Sequence, residues 1–360
     1  MRTSRDEGPQ GATMDPVEAL LPEHRRICLA CGGAVGRARG GRPGRLRGVC
    51  PWCGAAFDLT PHLAVDDVLT GRRGGRWRVA GPLARGGHSW LHAATDERTG
   101  RSGVLSRTRG PAGPEAGDVA LDEPEVLLAL DHPGLVRVRD VVDGPGAQRH
   151  LVLDRVHGTG CGEAAGLCLL DVARVALGVL PALAHLHGLG LLHADLTPDH
   201  LVVTPDPAVV LLDLGSVRRV VDRTSPVWTT EGYTAPEIVP GGAGPSPASD
   251  VFALGRVLSV LAVGSRTGPG GRGAVTGPWR APRLPDHKGL ARLVATTTDP
   301  DPARRPDLGA LAAALREVLA DGAAPPEDPG HRRRDDAPAP HRLRRRPACG
   351  GADARGATIT

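Results

Sequence analysis

The stretch that decides the fold is residues 191–203, which read LLHADLTPDHLVV. Two apolar runs flank a polar loop that carries Asp195 and His200. A carboxylate can orient or accept a proton during a reaction, and a neutral imidazole can bind a metal ion. The stretch therefore predicts a polar loop with two chemically versatile side chains, and a strand over residues 201–203 directly after it.

Four more motifs follow this loop along the chain. They are VVLLDLG at residues 209–215, GYTAPE at 232–237, DVFALG at 250–255 and DPARRP at 301–306. In order and spacing, the five stretches resemble the catalytic loop H-R-D-L-x-x-x-N, the D-F-G and A-P-E motifs and two later motifs of protein kinases. Each motif alone arises by chance, whereas five in the correct order do not. The chain is therefore identified by resemblance as a member of the eukaryotic-like bacterial Ser/Thr protein kinase family.

The order of the predicted elements agrees with this resemblance. Strand-like segments come first and longer amphipathic, helix-like segments follow. The prediction is an α+β, two-lobed protein kinase-like fold, with a β-rich N-lobe over residues 76–157 and an α-rich C-lobe over residues 158–321. A small β-hairpin module with four cysteines precedes the two lobes.

The family's chemistry implies a role for several residues. Asp195 would orient the attacking hydroxyl of a protein substrate, and Asp213 would hold the Mg²⁺ that bridges the phosphates of ATP. Thr230 matches the position that steadies the catalytic aspartate in Ser/Thr kinases, and Glu237 with Arg305 would form a buried structural ion pair. ATP, Mg²⁺ and a protein substrate or signalling partner are therefore the ligands that the resemblance implies.

The sequence departs from the family at the lysine of the third N-lobe strand. Lys288, the only lysine of the chain, lies in the predicted C-lobe. The V-A-I-K position falls on residues 103–106 or on residues 104–107, depending on a one-residue register. Arg107 is the best substitute, but its planar guanidinium does not fit the space of a compact ammonium. Either register also places a residue larger than alanine over the adenine.

Three further sites differ from the family pattern. The glycine-rich loop aligns with residues 83–90, LARGGHSW, where Gly86 and Gly87 remain to approach the phosphates. Glu123 aligns with the helix glutamate that pairs with the missing lysine, and a surface glutamate is an equally good interpretation. His200 replaces the second metal-binding asparagine, although hard Mg²⁺ prefers oxygen to an imidazole nitrogen.

Four cysteines form two Cys-x-x-Cys-Gly knuckles within residues 27–60. Each knuckle brings two thiolates together, and four thiolates in a tetrahedron are a preferred ligand set of Zn²⁺. The pattern resembles a zinc ribbon or rubredoxin-like hairpin. Structural zinc is the expected metal, iron is the main alternative and disulfides are a more distant one. The predicted ligands are Cys28, Cys31, Cys50 and Cys53.

The remaining segments lack a clear pattern of helices or strands. A disordered leader (residues 1–26), a linker (61–75) and a disordered basic tail (322–360) are expected from their composition. The net charge is +4 and nearly all basic residues are arginines, so nucleic acid is an alternative partner through the ribbon or the tail. The chain shows no secretory signal and no apolar run of the length that crosses a bilayer, which predicts a cytoplasmic protein without a membrane partner.

Three functions stay open on these grounds. In the first, the chain is a pseudokinase or very weak kinase that acts as a signalling or scaffolding module. In the second, it is an active Ser/Thr protein kinase that transfers the γ-phosphate of ATP to protein hydroxyls. In the third, the ribbon docks to protein or nucleic acid and the kinase fold regulates it. The missing lysine favours the first, because one such electrostatic support is worth about 3 kcal/mol of transition-state stabilisation.

Overall fold

The computed structural model shows the predicted order of a small ribbon, a β-rich lobe and a helical lobe. It describes residues 23, 26–28, 31, 33–85, 90–108, 124–145, 148–163, 167–206, 208–221, 230–238, 242–263 and 288–323. Nearly all of the predicted disordered leader (1–26) and basic tail (322–360) lies outside these residues.

The ribbon is an antiparallel hairpin whose turn carries the second pair of cysteines. Strands β1 (Arg47–Val49) and β2 (Ala56–Asp58) pair with Gly48 opposite Phe57. Gly54 has a φ of 75°, a conformation that strains residues with a side chain. The small core of the ribbon contains Cys28, Val35, Cys50 and Leu59 and, from the following lobe, Trp90. The ribbon and the N-lobe therefore share one buried cluster.

In its described residues, the N-lobe is a six-stranded antiparallel sheet with one short helix. Buried and more exposed residues alternate along its strands, as expected of a sheet whose two faces differ. The strands are β3 (Val68–Thr70), β4 (Arg76–Arg85), β5 (Trp90–Asp96), β6 (Ser102–Arg107), β7 (Val138–Asp143) and β8 (Arg149–Leu153), and helix α1 spans Pro124–Ala129. Their order in the sheet is β3-β4-β5-β6-β8-β7.

Strand β3 lies within residues 61–75, the segment predicted to be a linker. Leu63 and Leu69 of this segment are buried in one cluster with Trp77 of β4. Because apolar side chains gain free energy on burial, the segment adds a strand to the edge of the sheet. The connection between ribbon and lobe is therefore partly a structural element of the lobe.

The C-lobe is mainly helical, with short strands around the predicted catalytic loop. Its long helices are α2 (Leu169–Gly188), α3 (Pro247–Val263), α4 (Lys288–Thr297) and α5 (Leu308–Ala323). Its strands are β9 (Thr159–Gly160), β10 (Leu191–Leu192), β11 (Leu201–Val203), β12 (Val209–Leu211) and β13 (Arg218–Arg219). Because β10 pairs with β13 and β11 pairs with β9 and β12, the polar loop of residues 193–200 is held between two small sheets.

Helix α2 is the central helix of the C-lobe. Nine of its residues are buried, and it contacts α3, α5 and strand β12. The helix continues through Pro181. Among the described residues it is the one helix that is long and apolar enough to cross a bilayer. Its buried residues pack inside the lobe, as those of a core helix do.

Two buried histidines lie on the face of the N-lobe sheet that also carries Leu105, which we call the outer face. His92 on β5 lies opposite Leu105 and is fully buried, and His150 on β8 is 1% exposed. Within the described part of the chain, neither ring nitrogen of His92 has a hydrogen-bond partner, and Nε2 of His150 has none. Burial lowers the pKa of both histidines to about 4. Repulsion between the protonated forms of the two rings also helps to lower the pKa of His92. Both rings are therefore neutral in the folded protein at pH 7.

We expect the free energy of unfolding to fall less at acid pH in His92→Leu than in the wild-type protein. The unfolded chain protonates His92 below about pH 6.5, whereas the folded protein does so only near pH 4, so stability falls as the pH decreases through this window. Wild-type protein should lose about 2 to 3 kcal/mol more than the variant between pH 7 and pH 4.5. Urea unfolding at several pH values measures the difference.

The control is His157→Asn, at an exposed histidine, which should follow the wild-type profile. Parallel profiles for wild type and His92→Leu would contradict the burial of a neutral ring.

Candidate active site

The catalytic loop holds Asp195 in a buried position beside Thr230. Asp195 is 4% exposed, and its Oδ1 accepts a hydrogen bond of 2.7 Å from the hydroxyl of Thr230. This is the contact that the sequence predicts between Thr230 and Asp195. A small pocket next to the carboxylate is lined by Thr230, Tyr233 and Ala235.

A second carboxylate, Asp250, fixes the backbone of the loop. It is 1% exposed, near the start of α3, and it accepts hydrogen bonds from the backbone N–H groups of His193 and Ala194 at 3.0 and 2.9 Å. Nε2 of His187, on α2, donates a third hydrogen bond at 2.9 Å. Ala194 has a φ of 64°, which is uncommon for a residue other than glycine. Asp250 therefore stabilises a strained backbone directly before Asp195.

His193 connects the catalytic loop to the strand that precedes Asp213. Its ring is fully buried, and Nε2 donates a hydrogen bond of 3.0 Å to the carbonyl oxygen of Leu212. Burial lowers the pKa of His193, so the ring is neutral at pH 7 with its proton on Nε2. The loops that carry Asp195 and Asp213 are linked by this ring.

Asp195, His200 and Asp213 converge in the cleft. Each offers one ligand atom, and these three atoms lie within 4.8 Å of one another. Nε2 of His200 lies 3.3 Å from Oδ2 of Asp213, and Nδ1 of His200 donates a hydrogen bond of 2.7 Å to the carbonyl oxygen of Asp195. Asp213 has a φ of 51°, and its side chain accepts a hydrogen bond of 3.2 Å from the N–H of Gly215. The sequence-predicted catalytic and metal-binding residues of the C-lobe therefore share one site.

The chemistry of this cluster suits a divalent cation. Asp213 offers a carboxylate oxygen, the donor that Mg²⁺ prefers, and Asp195 adds a second negative charge. His200 contributes a nitrogen where Mg²⁺ would favour another oxygen. The residues present fit a divalent ion, held by Asp213 and His200, better than they fit Mg²⁺ in particular.

The register of β6 decides which side chain stands at the position of the family's lysine. Ser106 lies opposite Leu91 of β5. Val104, on the same face as Ser106, packs with Leu91 in the large cluster shared with the C-lobe, whereas Leu105 belongs to the separate cluster of the outer face. Val104 and Ser106 therefore face the cleft, and the V-A-I-K motif aligns with residues 103–106. The lysine position is occupied by Ser106.

Arg107 lies on the outer face and not with the cluster of Asp195 and Asp213. It lies opposite His150 of β8. After the larger effect of burial, its positive charge helps to lower the pKa of His150 and of His62. Because successive residues of a strand point to opposite faces, the arginine predicted to replace the lysine is directed away from the cleft.

Gly86, Gly87 and Glu123 lie outside the described residues. Strand β4 ends directly before the glycine-rich segment and β5 begins directly after it, so this segment connects two paired strands. Glu123 immediately precedes α1, and Pro124 is the first residue of that helix, where proline is tolerated.

The predicted ion pair between Glu237 and Arg305 is present and buried. Two guanidinium nitrogens of Arg305 donate to the two carboxylate oxygens of Glu237 at 2.6 and 2.7 Å. Burial raises the pKa of Glu237, but hydrogen bonds from Arg305 and Ser249 outweigh this effect and the pKa is lowered. Arg305 also donates to the carbonyl oxygens of Ala248 and Asp299. The pair ties the A-P-E segment to the start of α3 and to the connection between α4 and α5.

The four predicted metal ligands form a second cluster, in the ribbon. The sulfur atoms all lie within 4.8 Å of one another, with Cys28 at 3.7 Å from Cys53 and Cys31 at 3.6 Å from Cys50. Four sulfurs around a tetrahedral zinc ion, with bonds of about 2.3 Å, lie about 3.8 Å apart. The four cysteines form no disulfide among the described residues, and the spacing of their sulfur atoms fits a four-coordinate metal ion.

Two features of the sites cannot be read from the motifs. The sequence places Asp250 in a motif but does not show which N–H groups its carboxylate accepts. Trp90 has the pattern of an N-lobe strand residue, yet it is buried in one cluster with residues of the ribbon. Its position directly after a glycine-rich segment, in a chain with 2% aromatic residues, is the available signal of a special contact.

Comparison with known proteins matches both parts of the chain. Residues 86–275 match the protein kinase domain, and residues 1–63 match the protein kinase G rubredoxin domain. The serine/threonine-protein kinase PknG of Mycobacterium leprae is 32% identical over 85% of this chain, and PknG of Mycolicibacterium smegmatis is 32% identical over 87%. The serine/threonine-protein kinase PkaB of Streptomyces coelicolor is 33% identical over 61% of each chain. The chain spans 43% and 42% of the length of the two PknG relatives.

We expect Arg305→Ala to destabilise the C-lobe strongly. The substitution leaves the buried carboxylate of Glu237 without its cation, and breaking such a pair costs about 3 to 5 kcal/mol. Thermal unfolding should show a clearly lower Tm than that of wild type.

Arg304→Ala is the matched control, because the neighbouring arginine is 74% exposed and its contact with Asp301 is a surface pair worth at most about 1 kcal/mol. Equal Tm values for the two variants would show that the buried pair does not hold the lobe together.

Proposed function

The chain belongs to the protein kinase family, and from this premise we propose that it is a Ser/Thr-class kinase domain whose phosphoryl transfer is absent or very slow. Its main role is then that of a signalling or scaffolding module that binds a protein partner. The proposal rests on the fold and on the uncharged residue that the described part of strand β6 presents to the cleft.

The observation that carries the proposal is the identity of the residue on the cleft face of β6. The family's lysine holds the phosphates of ATP from this strand. Here the position belongs to Ser106, which is 4% exposed and carries no charge. Val104, two residues earlier, is larger than the alanine that normally lies over the adenine. Ser106 weakens the binding of ATP because it lacks the positive charge of the lysine. Val104 weakens it because its larger side chain narrows the space for the adenine.

The C-lobe side of the cleft supports a second candidate, a slow but active Ser/Thr protein kinase. Mg²⁺, when bound with ATP, bridges phosphate oxygens and neutralises their charge. Asp213 and His200 would hold the ion, and Asp195 would orient the substrate hydroxyl. The hydrogen bond from Thr230 already fixes the carboxylate of Asp195 for this task.

Restoring the lysine tests the proposal. We expect Ser106→Lys to bind ATP about ten- to a hundredfold more tightly than wild type, because a charge-assisted hydrogen bond contributes about 1.5 to 3 kcal/mol. Wild-type protein should show little or no thermal shift with millimolar ATP and Mg²⁺, whereas Ser106→Lys should show a clear shift. The Kd follows from titration.

Arg107→Lys is the matched control, since it places a lysine one residue further along, on the outer face, and should not improve ATP binding. The second candidate function would replace the first if wild-type protein bound Mg²⁺ and ATP tightly and transferred radiolabelled phosphate. Asp195→Ala should then abolish this transfer.

We propose that the metal of the ribbon is zinc and that its role is structural. Zn²⁺ suits four thiolates and has no redox chemistry that the fold would need to control. Cys28 and Cys50 are buried with Trp90, so the metal would also support the first strand after the glycine-rich segment.

Metal analysis of the purified chain should find one zinc ion per molecule. Cys50→Ser should lose it and unfold the ribbon, because metal binding supplies much of the folding free energy of such small modules. Iron in place of zinc would be recognised by the colour of iron–thiolate bonds, and the absence of both metals would contradict a metal site. Cys161→Ser, at a buried cysteine outside the cluster, is the control.

The remaining proposals concern location and partners. A cluster of cysteines without a disulfide among the described residues fits a reducing, cytoplasmic compartment. Binding of nucleic acid to the ribbon stays a prediction based on its exposed arginines, which are Arg37, Arg39, Arg42, Arg45 and Arg47.

A further inference from the structure

We propose that the cleft binds a first-row transition-metal dication, with Mn²⁺ as its representative, in preference to Mg²⁺, and that His200 is the nitrogen ligand that makes the distinction. This inference goes beyond the proposed function, since it concerns which ion the cleft holds and not whether phosphate is transferred.

The hydrogen bonds of His200 determine where its lone pair points. Nδ1 donates to the carbonyl oxygen of Asp195 at 2.7 Å, and because a carbonyl only accepts, Nδ1 carries a proton. In a neutral imidazole the lone pair then lies on Nε2, the atom that faces Asp213. Histidines that bind metals in proteins are commonly oriented in this way, with the second ring nitrogen donating to a backbone carbonyl.

The contact between His200 and Asp213 has the spacing of two ligands of one ion. Nε2 of His200 and Oδ2 of Asp213 are 3.3 Å apart. Neighbouring ligands of a six-coordinate ion with bonds of about 2.1 Å are about 3 Å apart. The pair is therefore spaced like two ligands of one ion, with a ligand atom of Asp195 within 4.8 Å of both.

The nitrogen donor is what separates the two classes of metal. Mg²⁺ is bound mainly by oxygen, whereas transition-metal dications accept imidazole together with carboxylate. The side chains of His200 and Asp213 are 16% and 23% exposed, so the donors are largely held in place by the protein. The family's asparagine would offer an oxygen at this position, and His200 replaces it by a nitrogen.

The test uses full-length protein with its ribbon metal in place and Mn²⁺ as the probe, because soft thiolates favour zinc over Mn²⁺. Binding is followed by electron paramagnetic resonance of Mn²⁺, with and without Mg²⁺ as competitor. Electron spin echo modulation then shows whether a nitrogen nucleus is bonded to the ion. We expect nitrogen modulation in wild type and a preference for Mn²⁺ over Mg²⁺ about tenfold greater than that of His200→Asn.

Three variants locate the signal. His200→Asn carries the family's own residue, so it should keep the fold, and it should lose the nitrogen modulation. Asp213→Asn should lose most Mn²⁺ binding, and His157→Asn, at an exposed histidine, should behave as wild type. Unchanged nitrogen modulation in His200→Asn, or unchanged binding in Asp213→Asn, would overturn the inference.

Failure of this inference is distinguishable from failure of the proposed function. Nitrogen-coordinated Mn²⁺ without any phosphoryl transfer supports the inference and agrees with a pseudokinase. Nitrogen-coordinated Mn²⁺ together with rapid phosphoryl transfer supports the inference and contradicts the proposal that the chain is a pseudokinase. Equal preference of wild type and His200→Asn for the two ions overturns the inference, whatever the activity.

Discussion

A single buried carboxylate, that of Asp250, holds together the parts of the chain on which the catalytic loop depends. Removing a charged group from water is costly unless donors replace the lost water, and here two backbone N–H groups and the ring of His187 do so. Helix α2, helix α3 and the catalytic loop meet at this one side chain. The loop after it is then positioned by His193, which reaches the strand before Asp213. Asp195 and Asp213 owe their relative placement to residues that need not touch a substrate.

The C-lobe half of the site was predictable because its residues are charged, rare and spaced at characteristic intervals. The motifs that contain these residues follow one another in the order typical of protein kinases. The residues are Asp195, Asp213, Glu237 and Arg305. The structure then brings the first two together and forms the ion pair. The consequence of His200 was only partly predictable. Its type was evident from the sequence, but the direction of its lone pair depends on a backbone carbonyl that only the fold places beside it.

The N-lobe half was less predictable, because its strands alternate with period two and two registers fitted equally well. Leu105 is as apolar as its neighbour Val104, and both Ser106 and Arg107 are polar. A shift of one residue exchanges the two faces of a strand, so the choice rests on the neighbouring strands. Pairing with β5 and β8 places Ser106 toward the cleft and Arg107 toward His150. Strand β3, within residues 61–75, was not predicted for a related reason, since an edge strand is recognisable only by the strand that it joins.

Because Trp90 is buried in a cluster that the ribbon and the N-lobe share, the two modules are not expected to be found apart from each other. Trp90 is 3% exposed and belongs to the same buried cluster as the cysteine-bearing hairpin. A kinase domain produced without that hairpin would expose the side chain of Trp90 to solvent and to other copies of the chain. A tryptophan side chain buries about 150 to 250 Å² of surface. Such a fragment invites self-association. Gene fusions and truncations that keep the kinase portion of this chain are therefore expected to carry its first sixty residues along.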